Sequence, residues 1–112
     1  MQFTIPGRPV PKSRPRSGKG KVYTPARTRE YEQAVRFTAS ASCQKPLQGE
    51  VWVAARFYFH DKKHGDIDNY IKSIFDGIQG VCFQDDRQVV VLEASINQTK
   101  GNERAEVEVG EI

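Results

Sequence analysis

Residues 50–78 read EVWVAARFYFHDKKHGDIDNYIKSIFDGI. In the first ten, Val51, Val53, Ala55, Phe57 and Phe59 fall on one side of an extended chain, and Trp52, Ala54, Arg56 and Tyr58 on the other. This is the strongest strand pattern in the chain, and its second side is apolar enough to predict cover there too. HDKKHG at 60–65 is a polar turn. Beyond it the period changes. Ile71, Ile74, Phe75 and Ile78 stand at i, i+3, i+4 and i+7, which predicts a helix over 67–80 with Gly80 as its stop. A strand and a helix in succession, each with an apolar side to bury, require a helix laid on a sheet.

The flanks extend this plan. MQFTIP alternates Phe3 and Ile5 with polar neighbours and ends at Pro6, which has no N–H to donate, so it reads as a short strand. Residues 7–24 are dense in Gly, Pro, Ser and basic residues and read as a long, mobile loop, in which Pro15 holds Arg14 and Arg16 apart and outward. Residues 25–43 have helical spacing. Pro25 suits the first turn and Thr24 the cap, and Tyr31, Ala34, Val35, Thr38 and Ala41 or Ser42 form the expected buried stripe. QKPLQG at 44–49 breaks that helix. QVVVLEASIN at 88–97 makes a third strand, QTKGNE a turn, and RAEVEVGEI a fourth strand in a hairpin with the third. The order β, loop, α, β, α, β, β, without repeats, predicts one α+β (mixed α/β) domain over 1–112 around one mixed sheet.

The chain has 112 residues, 38% hydrophobic and 28% charged, the balance of a soluble globular protein. No apolar run reaches the roughly 20 residues that a membrane span needs, and MQFTIPGRPV lacks the apolar core of a signal peptide. The expected location is the cytoplasm. Cys43 and Cys82 belong to no CxxC pair and lack histidines at zinc-site spacing, so both are expected to be reduced and mostly buried, with a disulfide between them the less favoured alternative. Charge is unevenly placed. Residues 1–29 hold eight Lys/Arg and no acid, while the other nine bases and all fourteen acids lie in 30–112. A segment of +8 joined to a remainder of −5 expects an anionic partner. A solvated, flexible arm is the plainer reading.

Four carboxylates surround the helix at 67–80. Asp66 and Asp68, two apart, point to one side of an extended entry into it. Asp85 and Asp86, in FQDDRQVV, follow once the chain has turned back, so the two pairs can meet at one end of the helix. Converging carboxylates repel unless they are protonated, paired with bases or neutralised by a cation. Oxygen ligands with water suit Mg2+ or Mn2+, and such an ion ionises water and stabilises charge on a phosphoryl oxygen. Lys72, one turn after Asp68, can hold a scissile phosphate, orient a water or simply pair with Asp68. Paired acids, a further acid and a lysine are the parts of a metal-dependent phosphodiesterase. The plainer reading is that Asp68 or Asn69 caps the helix, and that Asp76, at i+4 from Lys72, makes a surface ion pair or borders the site. An EF-hand loop is excluded, because counting from Asp66 the sixth residue is Ile71 rather than Gly and the twelfth is Gly77 rather than Glu. His60 and His64 are expected at the surface, and Glu93, Glu103, Glu106, Glu108 and Glu111 fit solvent-facing strand positions.

GDIDNYIKSIFDGI followed by FQDDRQVV resembles the RusA family of Holliday junction resolvases and endodeoxyribonucleases, with its D-x-D-N-x-x-K-x-x-x-D helix segment and its D-D-x-Q-V segment. The matching positions are Asp66, Asp68, Asn69, Lys72, Phe75 and Asp76, then Asp85, Asp86, Gln88 and Val89; Ile78 stands where the family often has Leu. PGRPVPKSRPR and VYTPARTREYE also look like phage-type members, so the resemblance covers nearly the whole chain. It implies an endodeoxyribonuclease dependent on Mg2+ (or Mn2+) that cuts symmetric strands of a four-way DNA junction. It also implies a homodimer in a bacterial or phage-infected cell, with no membrane and no small-molecule cofactor. Carried over by position, Asp66, Asp68 and Asp86 are the catalytic, metal-binding carboxylates, Lys72 is the catalytic lysine, and Asp85, Asn69 and Asp76 support them. The basic arm then tracks phosphates through Arg8, Lys12, Arg14, Arg16, Lys19, Lys21 and Arg27. The dimer surface is expected on the helix at 25–43 or on the outer side of the strand around Trp52. Two other functions stay open: a nuclease acting on flaps or forks, and a basic, dimeric DNA-binding module whose acids only cap and turn.

Overall fold

The structure, a computed structural model, describes residues 1–13, 16–18, 21–23 and 25–112, and the side chains of 1–13 and 25–112. Its elements are β1 (Gln2–Pro6), a short ribbon of β2 (Arg16–Gly18) and β3 (Lys21–Tyr23), α1 (Ala26–Ser42), β4 (Val51–Phe59), α2 (Ile67–Ile78), a 3-10 turn (Asp86–Gln88), β5 (Val89–Gln98) and β6 (Arg104–Glu111). One mixed sheet runs in the order β1-β6-β4-β5, with β4 and β5 parallel and the other pairs antiparallel.

The elements fall where the apolar periods put them, but one pairing differs. The expected β5–β6 hairpin does not form. β6 lies between β1 and β4, so residues 99–103 carry the chain past the end of β4. Alternation tells which way a side chain points and says nothing of which strand is next door. β4 has two edges to satisfy, and its inner side chains take apolar neighbours on both. Val53, Ala55 and Phe57 are in register with Val109, Val107 and Ala105 of β6, and Ala55 and Phe57 with Ala94 and Ile96 of β5. β1 then adds Phe3 beside Val107 and Ile5 beside Ala105.

Both helices cover this face. Val35 and Ala39 of α1 and Ile74 and Ile78 of α2 are completely buried against it. The α1 stripe is Thr28, Tyr31, Val35 and Ala39, which keeps Tyr31 and Val35 of the expected stripe and replaces the rest. Ala34, Ala41 and Ser42 are exposed, and Thr38 is half-buried. A helix rich in Ala, Ser and Thr marks its buried side weakly, and the contact with α2 selects it. That contact is made at Gly77, where a Cβ would lie 2.5 Å from Val35 Cγ1 and 3.2 Å from the Glu32 carbonyl oxygen. Only a residue without a side chain lets the two helices approach so closely.

The outer face of the sheet, also expected to be covered, is covered only in part: Ala54 is buried, and the larger side chains beside it keep some exposure. Trp52, Arg56 and Tyr58 are half-buried by one another and by charges. Arg56 pairs with Glu106 at 3.2 Å and Glu108 at 3.4 Å, and the Arg104 guanidinium sits 3.8 Å over the Tyr58 ring. Amphipathic side chains can stack their apolar bodies and leave their polar ends wet, so an apolar-looking strand side can remain at the surface.

Segment 7–24 is not the uniformly loose loop its composition predicts. Pro9 is buried. The Gly7 N–H donates to Glu103 O at 3.0 Å, the Lys12 N–H to Asn69 O at 2.9 Å, and the Ser73 hydroxyl to Val10 O at 2.7 Å. Residues 7–13 are thereby laid along the first turns of α2, and the β2–β3 ribbon follows. The expected cap Thr24, and Arg14, Pro15 and Lys19, lie outside the described residues. Pro25 stands at the N-cap of α1 without a side-chain capping bond.

Arg8 anchors the start of this segment. Its guanidinium is 2.7 Å from Glu103 and 3.2 Å from Asp61, and lies 5.0 Å over the Phe59 ring. The Lys63 N–H, then Arg8, hold the Asp61 carboxyl below its ordinary value; the His60 N–H, then His60 and Arg8, do the same for Glu103. Carboxyls depressed in the folded state stabilise it above their unfolded pKa values, near ~4, and that contribution is lost as pH falls through the folded values. Arg8→Met should therefore lower stability most at neutral pH, with the gap to the parent closing in acid. Chemical melts across a pH series check this, and a gap that does not narrow on acidification rules out the ion pair as its source.

Candidate active site

β4 ends at Phe59, and the chain re-enters at Gly65, whose N–H donates to the Tyr70 hydroxyl at 2.8 Å. Tyr70 is buried and packs against Phe57 and Phe59, so the entry into α2 is tied to the core. Asp66 takes the N-cap position with extended backbone, and Asp68 follows in the first turn. Asp68 does not do the work that the plainer reading assigned it. The N-cap makes no side-chain capping bond. Among the described residues, Asp66, Asp68 and Lys72 make no ion pair. Asn69 does not cap either; its carbonyl receives the Lys12 N–H.

Asp66, Asp68, Asn69, Lys72 and Asp76, all presented by α2, line one cleft of about 840 Å3 with Asp86, Lys12 and Ser13. The two acidic pairs of the sequence thus reach one site, but they contribute unequally. Asp85 is engaged elsewhere. It accepts the Arg87 N–H at 2.8 Å and pairs with the Arg87 guanidinium at 3.0 Å, and this partner holds its carboxyl below the ordinary value. Asp86 is left free. Its Oδ1 is buried with no hydrogen-bond partner among the described residues. Burial, then the charges of Asp76 and Asp85, push its carboxyl up.

Gln88 sets this arrangement. Its Oε1 accepts from the Gln84 and Asp85 N–H groups at 2.9 and 3.0 Å, and its Nε2 donates to the Leu47 and Gly49 carbonyls at 2.9 and 2.8 Å. Asp85 and Gln88 together make a capping box that turns Asp86 toward the cleft. Gln88→Leu keeps the volume and strands four backbone groups, so it should cost about 2–3 kcal/mol and slow any reaction that needs Asp86. A urea melt with an unchanged midpoint would exclude the clamp.

Lys12, expected on the phosphate-tracking arm, is drawn into the cleft. Its ammonium bridges Glu32 at 2.8 Å and Asp76 at 3.0 Å, and these partners, Glu32 first, push its pKa up. Arg36 donates to the Asp76 and Gln79 carbonyls at 3.2 and 3.1 Å and closes the end of α2. Ser13, Glu32 and Arg36 were not singled out from the sequence. Glu32 bonds to Lys12 across a loop and Arg36 to the other helix, while Ser13 lines the cleft, and no spacing rule links them. Of the remaining arm residues, Arg8 is held in its ion pairs away from the cleft, and Arg27 is exposed on α1. Arg14 and Lys19 lie outside the described residues, as do the side chains of Arg16 and Lys21. His60 and His64 are at the surface as expected.

The acidic donors in the cleft are carboxylate oxygens, and one of them is a buried orphan. That chemistry suits a hard divalent cation. Among the described residues no three acidic, histidine or cysteine side chains stand close enough to hold an ion between them; carboxylates that share a site without a cation repel one another. Among the described residues, no helix is long and apolar enough to cross a membrane.

The family model for endodeoxyribonuclease RusA matches residues 6–110. The chain is also 28% identical over 121 aligned positions, covering 85% of each protein, to uncharacterized protein YqaN of Bacillus subtilis (strain 168). The family match takes in both helices, both acidic pairs and the basic arm. With the cleft's acids and lysines inside that span, this chain belongs to the RusA family of endodeoxyribonucleases.

Proposed function

We propose that the chain resolves four-way DNA junctions as a homodimer, by hydrolysis of phosphodiesters that depends on a divalent cation. The observation that carries this reading is Asp86, whose buried carboxylate oxygen has no partner among the described residues and which lines the same cleft as Asp66 and Asp68. Asp66, Asp68 and Asp86 would hold Mg2+ (or Mn2+). When bound, such a cation ionises water and neutralises charge on a phosphoryl oxygen. Lys72, on the same helix as Asp68 and without an ion pair among the described residues, meets the scissile phosphate and offsets the charge that develops on it. Lys12 keeps Asp76 neutralised, which limits the repulsion that the cleft offers to DNA. Arg27, with Arg14, Arg16, Lys19 and Lys21, supplies phosphate contacts that position the junction without reading its sequence.

Two symmetric cuts need two sites. β5 is a sheet edge, and Val90, Val91 and Leu92 on it are 49%, 47% and 43% exposed. An apolar, unpaired edge supports a self-complementary contact between two copies there. It is a better candidate than the outer side around Trp52, where ion pairs occupy the surface.

Cleavage of a synthetic four-way junction, a flap and a linear duplex, each with Mg2+, Mn2+ or a chelator, tests the reading. Paired nicks in symmetric junction strands, only with metal, are expected. Preference for the flap favours the fork or flap nuclease, and no cleavage of any substrate with either ion leaves a binding module in its place. Light scattering should return twice the chain mass.

A further inference from the structure

We propose that Cys43 and Cys82 form a disulfide cross-link site, joined within one chain by reaction with a small-molecule disulfide. Cys43 is the C-cap residue of α1, and its N–H is bonded to Ala39 O at 2.8 Å. Cys82 lies in the turn after α2. Its N–H is bonded to Ile78 O at 2.9 Å and its carbonyl to the Leu47 N–H at 2.8 Å. Both backbones are thus held by bonds that do not involve sulfur, and the fold itself brings together two residues 39 apart in sequence. Both side chains are buried, and their Sγ atoms are in contact at 2.6 Å. Neither lines the acidic cleft.

The chemistry balances without further reagents. One thiol gives its proton to solvent, attacks a sulfur of the disulfide RSSR and releases RS−. The second thiol then loses its proton and attacks the resulting mixed disulfide, releasing a second RS−. Two electrons pass from the cysteines to RSSR, and two RSH form as the leaving groups take up protons. Burial pushes the Cys82 thiol up, so attack waits for the turn at 79–84 to open. The reaction is slow on the folded chain and fast during refolding. The closed loop runs from 43 to 82 and contains β4, α2 and with it Asp66, Asp68 and Lys72. Because the thiols already touch, closing the bond leaves the cleft in place and acts mainly on the unfolded chain.

Refolding the full chain in oxidised and reduced glutathione tests the proposal. The monomer mass should fall by about 2 Da as two hydrogens leave, with no thiol titratable in denaturant. The oxidised chain should melt about 10 °C above the reduced one. A Cys43→Ala, Cys82→Ala double variant should melt at one temperature with or without glutathione. Both thiols still titratable, glutathione adducts on either sulfur, or a covalent dimer would each overturn the proposal, and none of these readings depends on the variant's folding.

Discussion

Asp86→Asn is expected to reduce junction cleavage by about 10³-fold while leaving junction binding intact and raising the melting temperature slightly at neutral pH. The two effects have one cause. Asp86 is a half-buried carboxyl with an oxygen orphaned among the described residues, and burial and the neighbouring charges of Asp76 and Asp85 oppose its ionisation. An acid whose pKa is raised by folding weakens the folded state at pH values above its unfolded pKa. That penalty disappears once both states are protonated, below about pH 4. Asn has the same shape and no charge, so it removes the penalty and with it the cation-binding oxygen. Asp68→Asn should also stop cleavage but change the melt little, because its carboxylate is exposed. Cleavage gels, mobility shifts and melts at neutral and acid pH separate these outcomes. Parental cleavage by Asp86→Asn with Mg2+ would remove the residue from the site, and a lower melting temperature at neutral pH would remove the strain argument.

Gly77→Val should cost about 3 kcal/mol or more and take activity with it. The missing side chain is what lets α1 and α2 touch: a Cβ there would sit 2.5 and 2.7 Å from Val35 Cγ1 and Cβ, and 3.2 Å from a backbone oxygen of α1. Val35 is completely buried and cannot turn aside, so the helices must separate. Separation breaks the bridge from Glu32 through Lys12 to Asp76, which spans the two helices at the cleft. Gly77→Ala meets the same atoms with less bulk, and about 1 kcal/mol of helix propensity offsets part of its cost. Urea melts should show a lower midpoint at unchanged slope for both, with Val the lower. A Val variant with the parental midpoint would mean that the helices can part freely.

The acidic helix was legible because its signals are local. DIDNYIKSIFDGI carries its apolar period and its polar face in one stretch, and the structure has a helix there whose polar residues line the cleft. Asp85 and Asp86 look alike in sequence. Arg87 and Gln88 separate them, by binding the first and turning the second. The arm read as a uniform basic loop because composition reports charge without partners. Buried Pro9 and three hydrogen bonds dock residues 7–13, and Lys12 becomes part of the cleft.

What the residues by themselves determined was local: which segments extend, which coil, which side of β4 and α2 is buried, and that two acidic pairs flank one helix. Each follows from periods of two or 3.6 residues and from turn chemistry within a few neighbours. Tertiary structure alone decided that β6 inserts beside β4, that α1 turns Thr28 and Ala39 inward beside Tyr31 and Val35, that the described residues cover the outer sheet face only in part, and that Lys12, Glu32 and Asp76 meet. These depend on contacts between segments far apart in sequence, where burial and hydrogen-bond satisfaction are settled jointly by the whole chain and by no single stretch of it.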